Sequence, residues 1–81
     1  MPENNSLSGN MKKKNLNRIK IMLAQKEKSN KWLAEKLGVN PNTVSQWCRN
    51  NVQPSLETLF DIAKALDVEV RKLIQPTKEV E

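Results

Sequence analysis

The sequence predicts an all-α fold, a compact domain of five short helices with a disordered N-terminal arm, on three observations. Apolar residues recur at three- and four-residue spacing from Leu16 to Ile74. The period-two alternation of strands and the turn signals of hairpins are both missing. Residues suited to starting or ending helices bracket the periodic segments: Ser29, Gly38, Asn40 with Pro41, and Ser55. The 81 residues are enough for one core and one task.

Residues 1–14 are polar, rich in Asn and Ser and end in the basic run Lys12–Lys14, so a flexible basic arm is expected there. In the first helix Leu16, Ile19, Met22 and Leu23 share a face, with Asn15 as cap and the stretch "KEKS" as its end. Ser29 then caps "NKWLAEKL", whose Leu33, Ala34 and Leu37 point inward, and Gly38 closes it with a backbone that can take positive φ. Asn40 and Pro41 begin the third helix as cap and first residue, since proline lacks a donor that would go unpaired at that place. After the loop "RNNVQP", Ser55 caps "LETLFDIAKAL", with Leu56, Leu59, Ile62, Ala63 and Leu66 inward. The segment "VEVRKLI" is read as a short fifth helix whose Val70, Leu73 and Ile74 close the core. The domain therefore spans 15–75, and 76–81 form a short polar tail, read as frayed.

Charge is unevenly distributed. Ten basic residues face three acidic ones before position 51, whereas four face six after it. A basic half suits a polyanion, either nucleic acid or an anionic membrane surface, although a solvated face is the plainer explanation of any charge excess. The single cysteine, Cys48, cannot form an internal disulfide, and without histidine a zinc site is not expected. No apolar run approaches a membrane span, so a soluble, cytoplasmic protein is expected. With no histidine, one thiol and no glycine-rich phosphate loop, the usual nucleophile and base pairs of an enzyme cannot be assembled, and no cofactor is expected.

The third helix poses the functional question, because only Val44 and Trp47 are clear anchors in it. Most of its circumference is left for something outside the core. Its outward residues, Asn42, Thr43, Ser45 and Gln46, are short, uncharged and able to donate or accept. Such side chains suit base edges in a DNA major groove, where Asn and Gln bond adenine bidentately and a threonine methyl meets that of thymine. An idle solvated face is the alternative. Trp32 is read as a packing or partner-facing aromatic, because single-strand stacking platforms need more aromatics than two Trp and one Phe. Lys12–Lys14 either solubilise the arm or enter a minor groove.

Leu33-Ala34, Leu37-Gly38-Val39, Val44, Trp47 and the following "PSLETLFDIAKALDV" together resemble the helix-turn-helix regulators of the lambda repressor and Cro (Xre) type. The likeness covers Leu16 to Ile74, and its specific part is the spacing of Ala34, Gly38, Val44 and Trp47 in a unit starting at Asn30. It implies that Ala34 lets two helices approach, that Asn42, Thr43 and Gln46 fall where family members read bases, and that Asn30, Arg49 and Asn50 meet phosphate. Lys31 and Asn40 join the candidate phosphate contacts beside them. Where the family often has glycine and an apolar residue before the second helix, this chain has Glu27 and Lys28, so a hydrophobic staple is missing and Trp32 is available to cover the gap.

The expected function is sequence-specific binding of double-stranded DNA by a small bacterial or phage-type transcriptional regulator, with residues 41–48 in the major groove. A homodimer on a palindromic operator is expected, its contact drawn from Val68, Val70, Ile74 and Val80, although Val70 and Ile74 equally suit the internal core. Neither a membrane nor a small-molecule effector is expected as partner. The alternative is a protein-interaction module, such as an antitoxin or partner subunit, using the helix-turn-helix as scaffold.

Overall fold

The computed structural model describes residues 14–79. Four α-helices follow in order: α1 (Ile19–Gln25), α2 (Asn30–Leu37), α3 (Pro41–Cys48) and α4 (Leu56–Leu66). Three of them open where the sequence places their caps. The Ser29 hydroxyl accepts from the Trp32 N–H at 3.0 Å, Asn40 Oδ1 from the Asn42 N–H at 2.7 Å, and the Ser55 hydroxyl from the Thr58 N–H at 3.1 Å. Each satisfies one of the backbone donors orphaned at a helix start.

All four helices end in the same way. A residue with positive φ reverses the chain, at Glu27, Gly38, Asn50 and Asp67, and the next N–H returns to a carbonyl five residues back. These bonds run from Lys28 to Leu23, Val39 to Ala34, Asn51 to Gln46 and Val68 to Ala63, at 2.9 to 3.0 Å. The pattern is the glycine-type helix stop, and the sequence announces it only at Gly38 because the other three positions carry side chains. Glu27 thus stands where the family's glycine would, in the backbone conformation that glycine favours.

Two expected elements differ. The first helix starts at Ile19 rather than at Leu16, and its cap position is Arg18, not Asn15. The fifth helix is a four-residue 3-10 turn, Val70–Leu73. One cause explains both. Residues 16–18 run antiparallel to residues 73–75, with the Arg18 N–H donating to the Leu73 carbonyl at 2.8 Å and the Gln75 N–H to the Leu16 carbonyl at 2.9 Å. Backbone groups used in this pairing cannot also enter a helical ladder, so both helices are shortened where the chain's two ends meet. The tail expected to be frayed makes a further 3-10 turn over Thr77–Glu79, whereas most of the arm and Val80 lie outside the described residues.

The core gathers one stripe from each helix: Ile19, Met22 and Leu23; Leu33 and Ala34; Val44 and Trp47; Ile62, Ala63 and Leu66; with Leu73 from the 3-10 turn. Ala34, almost completely enclosed, is small enough for α2 and α3 to approach closely. Leu16, Leu56 and Ile74, expected inward, are exposed instead. Leu16 and Ile74 sit on the paired segments, outside any α-helix, where helical periodicity no longer governs which way a side chain points.

Candidate nucleic-acid interface

Val44 and Trp47 bury one side of α3 and leave its first turns outward. Asn42 is exposed, while Thr43, Ser45 and Gln46 are half-buried. Two of these four side chains are already held in place. The Ser45 hydroxyl accepts from Arg49 Nη2 at 2.9 Å, and Gln46 Oε1 accepts from Asn51 Nδ2 at 2.8 Å. Since Gln46 keeps both amide hydrogens and an acceptor lone pair, its capacity for a bidentate bond is retained. Asn51 escaped the sequence reading because a loop residue five positions on carries no periodic signal; only the turn closing α3 brings it back.

Of the residues expected at phosphate, Lys31, Asn40 and Arg49 are exposed at the surface of α2, the turn and the end of α3. Asn30, on the first turn of α2, is half-buried and its Oδ1 accepts from Cys48 Sγ at 3.4 Å, which places it against the end of α3. Burial pushes the Cys48 thiol up from its ordinary pKa, opposed in part by the Lys20 ammonium. A thiol so held stays protonated and is a poor nucleophile near neutral pH.

Asn50 is a correction. Its side chain is buried and turned inward, where Oδ1 accepts from the backbone N–H groups of Leu16 and Asn17, both at 2.9 Å, and from Gln53 Nε2 at 3.0 Å. Asn17 completes the network by donating from Nδ2 to the Trp47 carbonyl and to Gln53 Oε1, each at 2.8 Å. Asn50 therefore fastens the N-terminal segment beneath the end of α3, and a side chain so committed is not free for phosphate. Position alone could not separate the two roles, because the deciding partners, Leu16 and Asn17, lie more than thirty residues away in sequence.

The fold adds two cations, Arg18 and Lys20, beside the end of α3. A hollow of about 340 Å³ is lined by Asn15, Arg18 and Lys20 from the start of the domain and by Cys48 and Arg49 from the end of α3. Lys20 thus joins Arg49 across a long sequence separation. Trp32 is half-buried, with the Lys28 and Lys36 ammonium groups 4.8 and 5.7 Å from its ring centre. Flanked in this way, it sits under two cations rather than open for stacking on a base. Among the described residues, no cluster of His, Cys, Asp and Glu could hold a metal ion, and no helix is long and apolar enough to cross a membrane.

Two helices joined by a glycine turn, with the second presenting a polar face, are the arrangement that a helix-turn-helix family profile matches over residues 19–73. The chain belongs to the helix-turn-helix family of the lambda repressor and Cro type. A crystal structure from Bacteroides fragilis, described as that of a candidate DNA-binding protein, is 52% identical and superposes with a TM-score of 0.73. It covers 74% of this chain, and this chain covers 97% of it. No curated protein matches. In this helix-turn-helix chain, α2 and α3 are the paired helices, and Gly38 is the turn between them.

Proposed function

We propose that this protein is a transcriptional regulator that binds double-stranded DNA with α3 in the major groove. The observation that carries the reading is the face of α3: a helix anchored by two apolar side chains offers Asn42, Thr43, Ser45 and Gln46 outward, beside exposed Lys31 and Arg49. Asn42, Thr43 and Gln46 read base edges, and Ser45 orients Arg49 or adds a bond of its own. Asn30, Lys31, Asn40, Arg49 and Lys20 hold phosphates and fix the register of α3 without carrying sequence information. Two copies act together on a palindromic operator, since one recognition helix covers only a few base pairs.

The test separates reading from holding. A bidentate amide contact is worth about 1–3 kcal/mol of discrimination, so Gln46→Ala weakens binding to the operator found by genomic-fragment selection and barely changes binding to random DNA. Arg49→Ala weakens both duplexes alike and makes the salt dependence shallower by about one unit of slope, because fewer counterions are released. Titrations of both variants on operator and scrambled duplex over a range of salt check this. Equal losses on both duplexes for Gln46→Ala would remove that residue from the reading face.

A further inference from the structure

We infer that the outer face of α4 is the surface through which two copies of this chain pair, antiparallel about a two-fold axis near Phe60. The inference deepens the proposed regulator by naming how its copies meet. Leu56 and Phe60, one turn apart on α4, are 66% and 49% exposed, although both stand in an otherwise regular apolar helix pattern. Next to them lies a hollow of about 280 Å³, lined by Phe60, Ala63, Lys64 and Asp67 and by Val68, Glu69 and Val70 beyond the helix. Positions 60, 63, 64 and 67 form the four-residue diamond into which a side chain of a facing helix inserts, and the small Ala63 leaves it open.

Knob and hole thus lie on one helix face, with the hole centred about 7.5 residues, or roughly 11 Å, beyond Leu56. A second copy laid antiparallel, with Phe60 against Phe60, brings Leu56 of each copy over the hollow of the other. Both contacts form at once, as an isologous interface requires. The charges agree with that register. Glu57 and Lys64 lie on the same flank of α4, two turns apart, and an antiparallel two-fold pair sets like flanks together, so Glu57 of each copy meets Lys64 of the other. A parallel pairing would set opposite flanks together and leave Glu57 and Lys64 on different sides of the pair. Val68 and Val70 take part by lining the hollow, whereas Ile74 belongs to the pairing of the chain ends.

One helix face falls well short of the roughly 800 Å² per partner of a standard interface, so pairing is weak in free solution and is completed when both copies share one DNA site. The experiment omits DNA, so that a failure to pair and a failure to read an operator are separate results. Sedimentation of the wild-type chain up to about 1 mM is expected to show a reversible monomer–dimer equilibrium. Phe60→Glu, at an exposed position, is expected to keep the wild-type melting temperature and weaken dimerisation at least tenfold. Glu57→Lys and Lys64→Glu are each expected to weaken it, and the double reversal to restore it. A wild-type chain that stays monomeric, a folded Phe60→Glu that dimerises like wild type, or a double reversal that regains nothing would each overturn the inference.

Discussion

Glu27 sits at φ 56° with no glycine's freedom to do so, and Asp67 at 58°. An L-residue in this region costs about 1–2 kcal/mol, whereas glycine adds about 0.5–1 kcal/mol of unfolded-state entropy. Glu27→Gly is therefore expected to stabilise the domain by up to about 1 kcal/mol and raise its melting temperature by a few degrees. Asp67→Gly should gain less, since aspartate tolerates the left-handed region better. Gly38→Ala tests the converse. An added Cβ would meet nothing within 4 Å, so a loss of about 1 kcal/mol in thermal unfolding would be the backbone's alone. Asn50 decides between two roles at the same scale. Asn50→Ala strands the buried N–H of Asn17, while the Leu16 N–H keeps its bond to the Lys14 carbonyl, and is expected to cost about 1–3 kcal/mol. Below its melting transition, the variant should keep the wild-type salt slope on DNA; a shallower slope would return Asn50 to the phosphate contacts.

At the scale of elements, α3 is the helix that depends most on its neighbours. In its sequence "PNTVSQWC" only Gln46 is a strong helix former, so its stability comes mainly from its cap and from burying Val44 and Trp47. Trp47→Ala is expected to cost about 3–5 kcal/mol, comparable with the whole stability of so small a domain, and to leave it largely unfolded by circular dichroism. The Val70–Leu73 turn shows that an element's rank in the core is not set by its length. Leu73 is fully buried and Ile74 is not, so Leu73→Ala should cost about 2–5 kcal/mol in denaturant unfolding, and Ile74→Ala well under half of that. Equal effects would mean that the turn only lies on the surface.

Across the whole molecule, the charge asymmetry and the packing support each other. Lys20 and Lys31 lie in the first turns of α1 and α2 and Arg49 follows α3, whereas α4 carries Glu57, Asp61 and Lys64. On the proposed reading, the first group meets phosphate and the flank of α4 carrying Glu57 and Lys64 meets a second copy. Titrated at low salt, the operator should take up two protomers with half-site centres about 34 Å apart, one turn of DNA. A one-to-one complex on an asymmetric site, seen by sedimentation, would contradict the dimeric arrangement.

The all-α class, three helix caps, the glycine turn and the polar face of α3 were legible in the sequence because each depends on residues within one or two turns of each other. Ser29, Asn40 and Ser55 bond backbone groups two or three residues away, and Val44 and Trp47 share a stripe because the helical period puts them there. Local chemistry of this kind is written in order along the chain. The shortened first helix, the 3-10 turn in place of a fifth helix, the inward Asn50 and the exposed Leu56 and Phe60 depend instead on what lies opposite. Residues 16–18 meet residues 73–75 across the domain, and Asn50 finds Leu16 and Asn17 there too. A backbone group or amide has the same sequence signature whether its partner is water, phosphate or a distant strand of chain. Only closing the core brings those partners within bonding distance, and so the tertiary structure decides which one it is.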